Sequence, residues 1–201
     1  MIIATPLDLP RIEPDDWSVF WNIWNRESRN AVKIKKNTDS SVSPIGQDDL
    51  WTALDIYRKH DVKVVWDVPY YDISNDLPKM YESILNLPFN YIHRVRILSS
   101  LQNITAHTDD RQDRWSVRAL LHCKDTNSQW YFTKPGNESE RQFFTLPNDT
   151  NWFAYNDKHC WHGSVFNKQY PKLLIQVFMA DRGTTIINNS INKYKEYTIK
   201  L

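Results

Sequence analysis

Hydrophobic positions recur at helical spacing in the first part of the chain and at alternating spacing in the rest. Trp17, Phe20, Trp21 and Trp24 fall at i, i+3, i+4 and i+7 behind Pro14 and two acidic residues, which predicts an amphipathic helix over residues 15 to about 29 whose tryptophan stripe faces a core. Residues 33–46 are polar and rich in turn formers and read as a surface loop. Leu50, Leu54 and Tyr57 lie on one helical face, predicting a second helix from residue 47 to about 60. The β-branched run DVKVVWDV at 61–68 predicts a strand, and residues 77–86, bounded by Pro78 and Pro88, predict a third helix.

Beyond Phe89 the texture changes. Short strands are predicted at 91–99, 115–123, 129–134, 141–146, 151–155 and 172–180, several of them separated by turn sequences such as KPGN and LPND. Strands that follow helices, rather than alternate with them, favour an antiparallel sandwich or barrel with the helices packed outside. The expected organisation is a single domain over 1–201: a helical or mixed N-terminal scaffold over 1–90, a β-barrel over 91–182 and a polar tail over 183–201 with room for a short helix. No internal repeat or low-complexity tract interrupts it.

Composition narrows the function classes. With 201 residues, 25 Lys+Arg against 24 Asp+Glu and a net charge of +1, the chain offers no net field for nucleic acid or anionic lipid, so neither is an expected partner. No apolar run approaches the ~18 residues of a membrane span. The opening residues lack a basic region and are broken by Pro6, Pro10 and Pro14, so a cytoplasmic location is expected, with Cys123 and Cys160 reduced. Four glycines count against Gly-rich phosphate loops and hence against nucleotide-binding folds. Nine tryptophans and a 13% aromatic share point to a core packed with large rings.

The candidate chemistry lies in the β-rich half. His107-Thr108-Asp109 places an imidazole and a carboxylate at i and i+2, which project to the same side of an extended chain and suit one metal ion. The motif is short enough to arise by chance, so its context matters. About fifty residues on, HCWHGS supplies further imidazoles; His162 is the expected third ligand because it leads into a Gly-Ser turn ten residues before Lys172, with His159 as competitor. A helical zinc pair is disfavoured, since no His-Glu-x-x-His pattern exists. The strand between them alternates: Trp115, Val117, Ala119, Leu121 and Cys123 form an apolar face, while Ser116, Arg118, Leu120 and His122 share the other, as in the wall of a polar pocket. Lys172 opens the most apolar strand, where a buried cation requires an anion such as a bound carboxylate.

In this order, VRILSSLQNITAHTDDRQDRWSVRALLHC and LPNDTNWFAYNDKHCWHGSVFNKQYPKLLIQVF resemble the iron(II)- and 2-oxoglutarate-dependent oxygenases, in particular the aspartyl/asparaginyl β-hydroxylase and small-molecule proline hydroxylase branch. The resemblance covers about residues 95–181. It implies a double-stranded β-helix (a jelly-roll, cupin-like fold), iron held by His107, Asp109 and His162, and Lys172 at the position of the base, usually Arg, that meets the distal carboxylate of 2-oxoglutarate. Arg118 and His122 match positions that contact this cosubstrate. The implied activity is hydroxylation, by dioxygen, of an amino acid or peptide side chain or a related small molecule, with 2-oxoglutarate converted to succinate. The alternatives are a non-catalytic β-barrel binding module and a zinc site on the same barrel.

Overall fold

The computed structural model describes residues 1–27, 52–56, 71–89, 92–100, 103–109, 115–122, 129–165, 172–179 and 184–201. Strand β1 (Ile2–Pro6) is followed by helix α1 (Trp17–Glu27), β2 (Thr52–Ile56), α2 (Pro78–Leu85) and then eight strands in succession. These are β3 (Ile92–Ser100), β4 (Ile104–His107), β5 (Trp115–His122), β6 (Gln129–Thr133), β7 (Gln142–Phe144), β8 (Trp152–Asn156), β9 (Trp161–Val165) and β10 (Lys172–Met179). Helix α3 (Thr184–Lys193) and a two-residue strand β11 (Ile199–Lys200) complete the order.

The strands form two antiparallel sheets. The larger runs β11-β1-β8-β5-β10-β3-β2 and the smaller β4-β9-β6-β7. Strands β3 to β10 divide between them as two interleaved sets of four, β8-β5-β10-β3 facing β4-β9-β6-β7, which is the topology of a double-stranded β-helix. The two sheets face one another without closing into a barrel. β1, β2 and β11 extend the larger sheet at its edges.

Alternation along the strands separates two cores. From β5, Val117, Ala119 and Leu121, and from β10, Leu173, Ile175 and Val177, point to the outer face, where they pack with Phe20, Ile23 and Trp24 of α1 and Met80 and Ile84 of α2. The opposite faces supply Leu174, Phe153 and Tyr155, which meet Trp130, Phe132 and Phe144 of the smaller sheet. An isolated helix of α1's length is marginal in water, so its buried stripe rather than its propensity holds it. Its start is capped by Asp16, whose Oδ1 accepts the backbone N–H of Ser18 at 2.7 Å and of Val19 at 3.3 Å. The neighbouring Asp15 reaches across to α2 and accepts the N–H groups of Lys79 and Met80, both at 3.1 Å. Adjacent carboxylates thus terminate two helices and fix them to each other.

Two expectations are corrected. Residues 52–56 form a strand, not part of a helix: Leu54 and Ile56 alternate into the outer core and the segment pairs with β3 from Thr52↔Ser99 to Ile56↔Val95. Gly163 and Ser164 lie inside β9 rather than in a turn. The strand expected at 61–68 lies outside the described residues. Among the described residues no helix is long and apolar enough to cross a membrane.

Candidate metal centre

Strand β4 ends at His107, and Asp109 follows two residues later. β9 runs antiparallel to β4 with His107 opposite His162, so the pairing itself brings the two imidazoles together. Their ring centroids are 4.4 Å apart. His107 Nε2 lies 3.5 Å from Asp109 Oδ1. One ligand atom from each of His107, Asp109 and His162 falls within 4.8 Å of the others. His159 stays out of the group, half-buried in the turn after β8.

The surrounding hydrogen bonds orient both rings. His107 Nδ1 lies 2.8 Å from the Thr105 carbonyl, an acceptor only, so Nδ1 carries a proton and Nε2, which faces Asp109 Oδ1, is the nitrogen a metal would take. Arg118 donates to Tyr155 Oη through Nε at 3.2 Å and Nη2 at 2.7 Å. With those lone pairs taken, the Tyr155 hydroxyl proton is directed at His162 Nε2, 3.3 Å away. The His162 proton is therefore on Nδ1, which lies 3.3 Å from Oδ1 of the fully buried Asp157. Both imidazoles thus turn Nε2 inward, that of His107 toward Asp109 and that of His162 toward the Tyr155 hydroxyl, which a metal would have to displace.

Arg118 is the wall residue that the alternation of β5 predicts, and it is buried, with Ser116 beside it on the same face. Its Nη2 donates to Asp109 Oδ2 at 2.7 Å. Burial pushes the Asp109 carboxyl up, but the hydrogen bond with His107 and the charge of Arg118 more than reverse this and hold it well below the usual carboxylate range. Burial lowers His107, yet its bonds to Asp109 and Thr105 outweigh that and raise it. His162 is lowered by burial, which the contact with Asp157 only partly offsets. The Tyr155 phenol, also buried, is pushed far above its ordinary range.

The donor set fits a divalent metal. Two neutral nitrogens and one carboxylate oxygen from two strands of one sheet match an intermediate ion such as iron or zinc. Asp157 Oδ2 and His162 Nδ1 have no hydrogen-bond partner although both are buried. A cation between the rings would compensate the carboxylates that face it.

Of the remaining expected site residues, Lys172 opens β10 opposite Ser100 and His122 ends β5 opposite Leu173. Their side chains lie outside the described residues. Sequence reasoning missed Tyr155 and Asp157: the first reads as one more aromatic in a strand, the second as a turn former, and only the approach of β8 to β9 reveals either.

An eight-stranded β-helix with two histidines and an aspartate at one end of its smaller sheet defines a jelly-roll with a candidate metal centre. Solved structures with a broadly similar chain path include an oxidoreductase of the 2OG-Fe(II) oxygenase family from Burkholderia pseudomallei, at 12% identity and TM-score 0.44 over 70% of this chain and 74% of that one. A prolyl-4-hydroxylase from Pseudomonas putida aligns at 9% identity and TM-score 0.42 over 82% and 85%. The Fe(II)/(alpha)ketoglutarate-dependent dioxygenase TqaL aligns at 9% and 0.37 over 84% and 78%. No family model matches the sequence. No curated protein matches it.

Proposed function

We infer that this chain is an iron(II)- and 2-oxoglutarate-dependent dioxygenase that hydroxylates an amino acid or peptide side chain, or a related small molecule, in the manner of the aspartyl/asparaginyl and proline hydroxylase branch its sequence resembles. The observation that carries this reading is the convergence of His107, Asp109 and His162, with Nδ1 of His107 held by a backbone carbonyl and one Asp109 oxygen committed to Arg118. Bound iron supplies the activation of dioxygen at the expense of 2-oxoglutarate, which is decarboxylated to succinate. The protein's part is to hold and to exclude. Nε2 of each histidine and Oδ1 of Asp109 would hold the iron; Arg118, by retaining Oδ2, would keep the carboxylate to one oxygen. Trp130 stacks on His162 at 5.6 Å between ring centroids and, with Phe153 and Tyr155, keeps water from that side. By the resemblance, Lys172 is the anchor for the distal carboxylate of 2-oxoglutarate, or Arg118 in its place, with His122 a further contact of the cosubstrate. The reaction takes place in the cytoplasm.

Anaerobic titration of the protein with iron(II) and 2-oxoglutarate tests the reading. The expected result is a weak visible charge-transfer band and, on admission of air, release of succinate, both absent in His107→Ala and Asp109→Ala. Metal binding without band or succinate in the wild type rejects an oxygenase and favours a zinc site. Unchanged metal content in the two variants rejects the ligand set.

A further inference from the structure

Asp157 joins two parts of the site that are remote in sequence. It sits in the turn between β8 and β9 with its side chain fully buried. Its Oδ1 accepts the Asp109 backbone N–H at 3.3 Å, and its backbone carbonyl accepts the Thr108 hydroxyl at 3.1 Å. The same Oδ1 lies 3.3 Å from His162 Nδ1, at ion-pair distance but not in hydrogen-bond alignment, and both His162 Nδ1 and Asp157 Oδ2 are left without a hydrogen-bond partner. A buried carboxylate with one idle oxygen is costly unless a neighbouring positive charge compensates it. Fixing the proton on Nδ1 leaves Nε2 for a metal, and polarisation of the ring by that metal makes Nδ1–H a stronger donor to the carboxylate.

We propose that Asp157 is a positioning residue that sets the tautomer and orientation of His162 and at the same time ties the Thr108-Asp109 segment to it, so that one side chain brings both halves of the ligand set into register. The inference rests on the metal-centre reading given above. It adds to that reading a determinant of metal affinity that touches neither metal nor substrate.

The test uses the full chain and cobalt(II) alone as probe. In the metal-free wild type, two-bond proton–nitrogen correlation of the histidine rings, assigned with His162→Gln, is expected to show His162 protonated on Nδ1. Protonation on Nε2 overturns the proposal without any variant of Asp157. In Asp157→Asn, which keeps the volume and an acceptor for the Asp109 N–H, cobalt(II) affinity read from its visible absorption is expected to fall about 10- to 100-fold. Asp157→Ala is expected to lose at least as much and to shift His162 toward the Nε2 tautomer. Equal cobalt(II) affinity in wild type and Asp157→Asn, with the fold intact, overturns the proposal and leaves the metal centre standing. If the wild type binds no cobalt(II) or iron(II), the metal-centre reading fails, and the change of His162 tautomer in Asp157→Ala, or its persistence, still decides whether Asp157 orients that ring.

Discussion

Arg118 Nη2 and Asp109 Oδ2 form a 2.7 Å ion pair, and Oδ1 of the same carboxylate faces His107 Nε2 at 3.5 Å. The two oxygens of one side chain therefore have separate tasks, one bound by a fixed guanidinium and one turned to the imidazoles. Because Arg118 comes from the larger sheet and Asp109 follows the last residue of β4 in the smaller, this pair also ties the two layers together.

Breaking that clamp from the arginine side leaves Asp109 and the Tyr155 hydroxyl without their donor. Removing one partner of a fully buried pair costs about 3–5 kcal/mol, and the partial exposure of Asp109 places Arg118→Ala at or somewhat below the lower end, about 2–3 kcal/mol. Urea unfolding of the metal-free protein measures it. Arg118→Lys is expected to recover little, since one ammonium cannot reach both Asp109 and Tyr155 as the fork does. A loss below about 0.5 kcal/mol in Arg118→Ala rejects the clamp, since that is the range of an ordinary surface substitution.

The two histidines give the metal-free protein opposite pH dependences. His162 is lowered in the folded state by burial, so its unfolded form takes up a proton at about 6.5 while the folded form resists, and stability falls as pH drops below that value. His107 is raised: burial lowers it, but the bonds to Asp109 and Thr105 prevail, so its contribution is complete below about 6.5 and lost as pH rises through the folded value. Asp109, held low, adds stability above about 3.9 that is lost on further acidification. Denaturant midpoints across the pH range are expected to lose their fall below about 6.5 in His162→Gln and their decline as pH rises from about 6.5 in His107→Gln. If neither variant alters the corresponding limb, the assigned protonation states are wrong.

How much of this was legible in the sequence depends on whether a residue's role shows in local pattern. The tryptophan spacing of α1 and the strict alternation of β5 survive folding because each element has one apolar face and one other face, and Arg118 was found by parity alone. β4 and β9 were not predicted as strands. Their inward positions carry His107, His162 and Ser164 where a hydrophobic alternation would normally be seen, so the site itself erases the signal. Thr52–Ile56 reads as helix because Leu50, Leu54 and Tyr57 satisfy helical spacing; the alternating pair Leu54 and Ile56 competes with it, and pairing with β3 decides between them. Asp157 and Tyr155 act only through neighbours supplied by other strands, and no periodicity records that.

Cys160 is buried, and its thiol donates to the Asn156 carbonyl at 3.1 Å. Burial, with a contribution from the charge of Asp157, pushes it up to about 12 from 9.0. For an acid whose folded value is raised, the stabilisation is full below the unfolded value and is lost as pH rises between the two, so this thiol adds an alkaline limb above about pH 9. Cys160→Ala is expected to remove that limb. At neutral pH the peptide containing Cys160 is expected to resist iodoacetamide until denaturant is added, as followed by mass spectrometry. Rapid labelling of the native protein rejects a sequestered thiol.

Gly163 is the one residue of β9 where a side chain cannot fit. A Cβ built there comes within 2.4 Å of Tyr131 Cζ and Oη and 2.6 Å of the Ile104 carbonyl oxygen. The tyrosine does not simply swing aside: its hydroxyl donates to that same carbonyl at 3.3 Å, and the Arg141 guanidinium lies over its ring at 4.6 Å. The carbonyl belongs to β4, whose other register pair with β9 is His107↔His162. Gly163→Ala must therefore push β4 and its histidine away from His162, at a cost expected toward the upper end of the 1–3 kcal/mol typical of overpacking, together with weaker cobalt(II) binding. Tyr131→Ala in the same chain removes the ring but not the carbonyl, so the double variant is expected to regain part of the binding and to show a favourable coupling energy in a double-mutant cycle. Stability and cobalt(II) affinity both unchanged in Gly163→Ala would mean that the spacing of β4 and β9 does not set the distance between the two imidazoles.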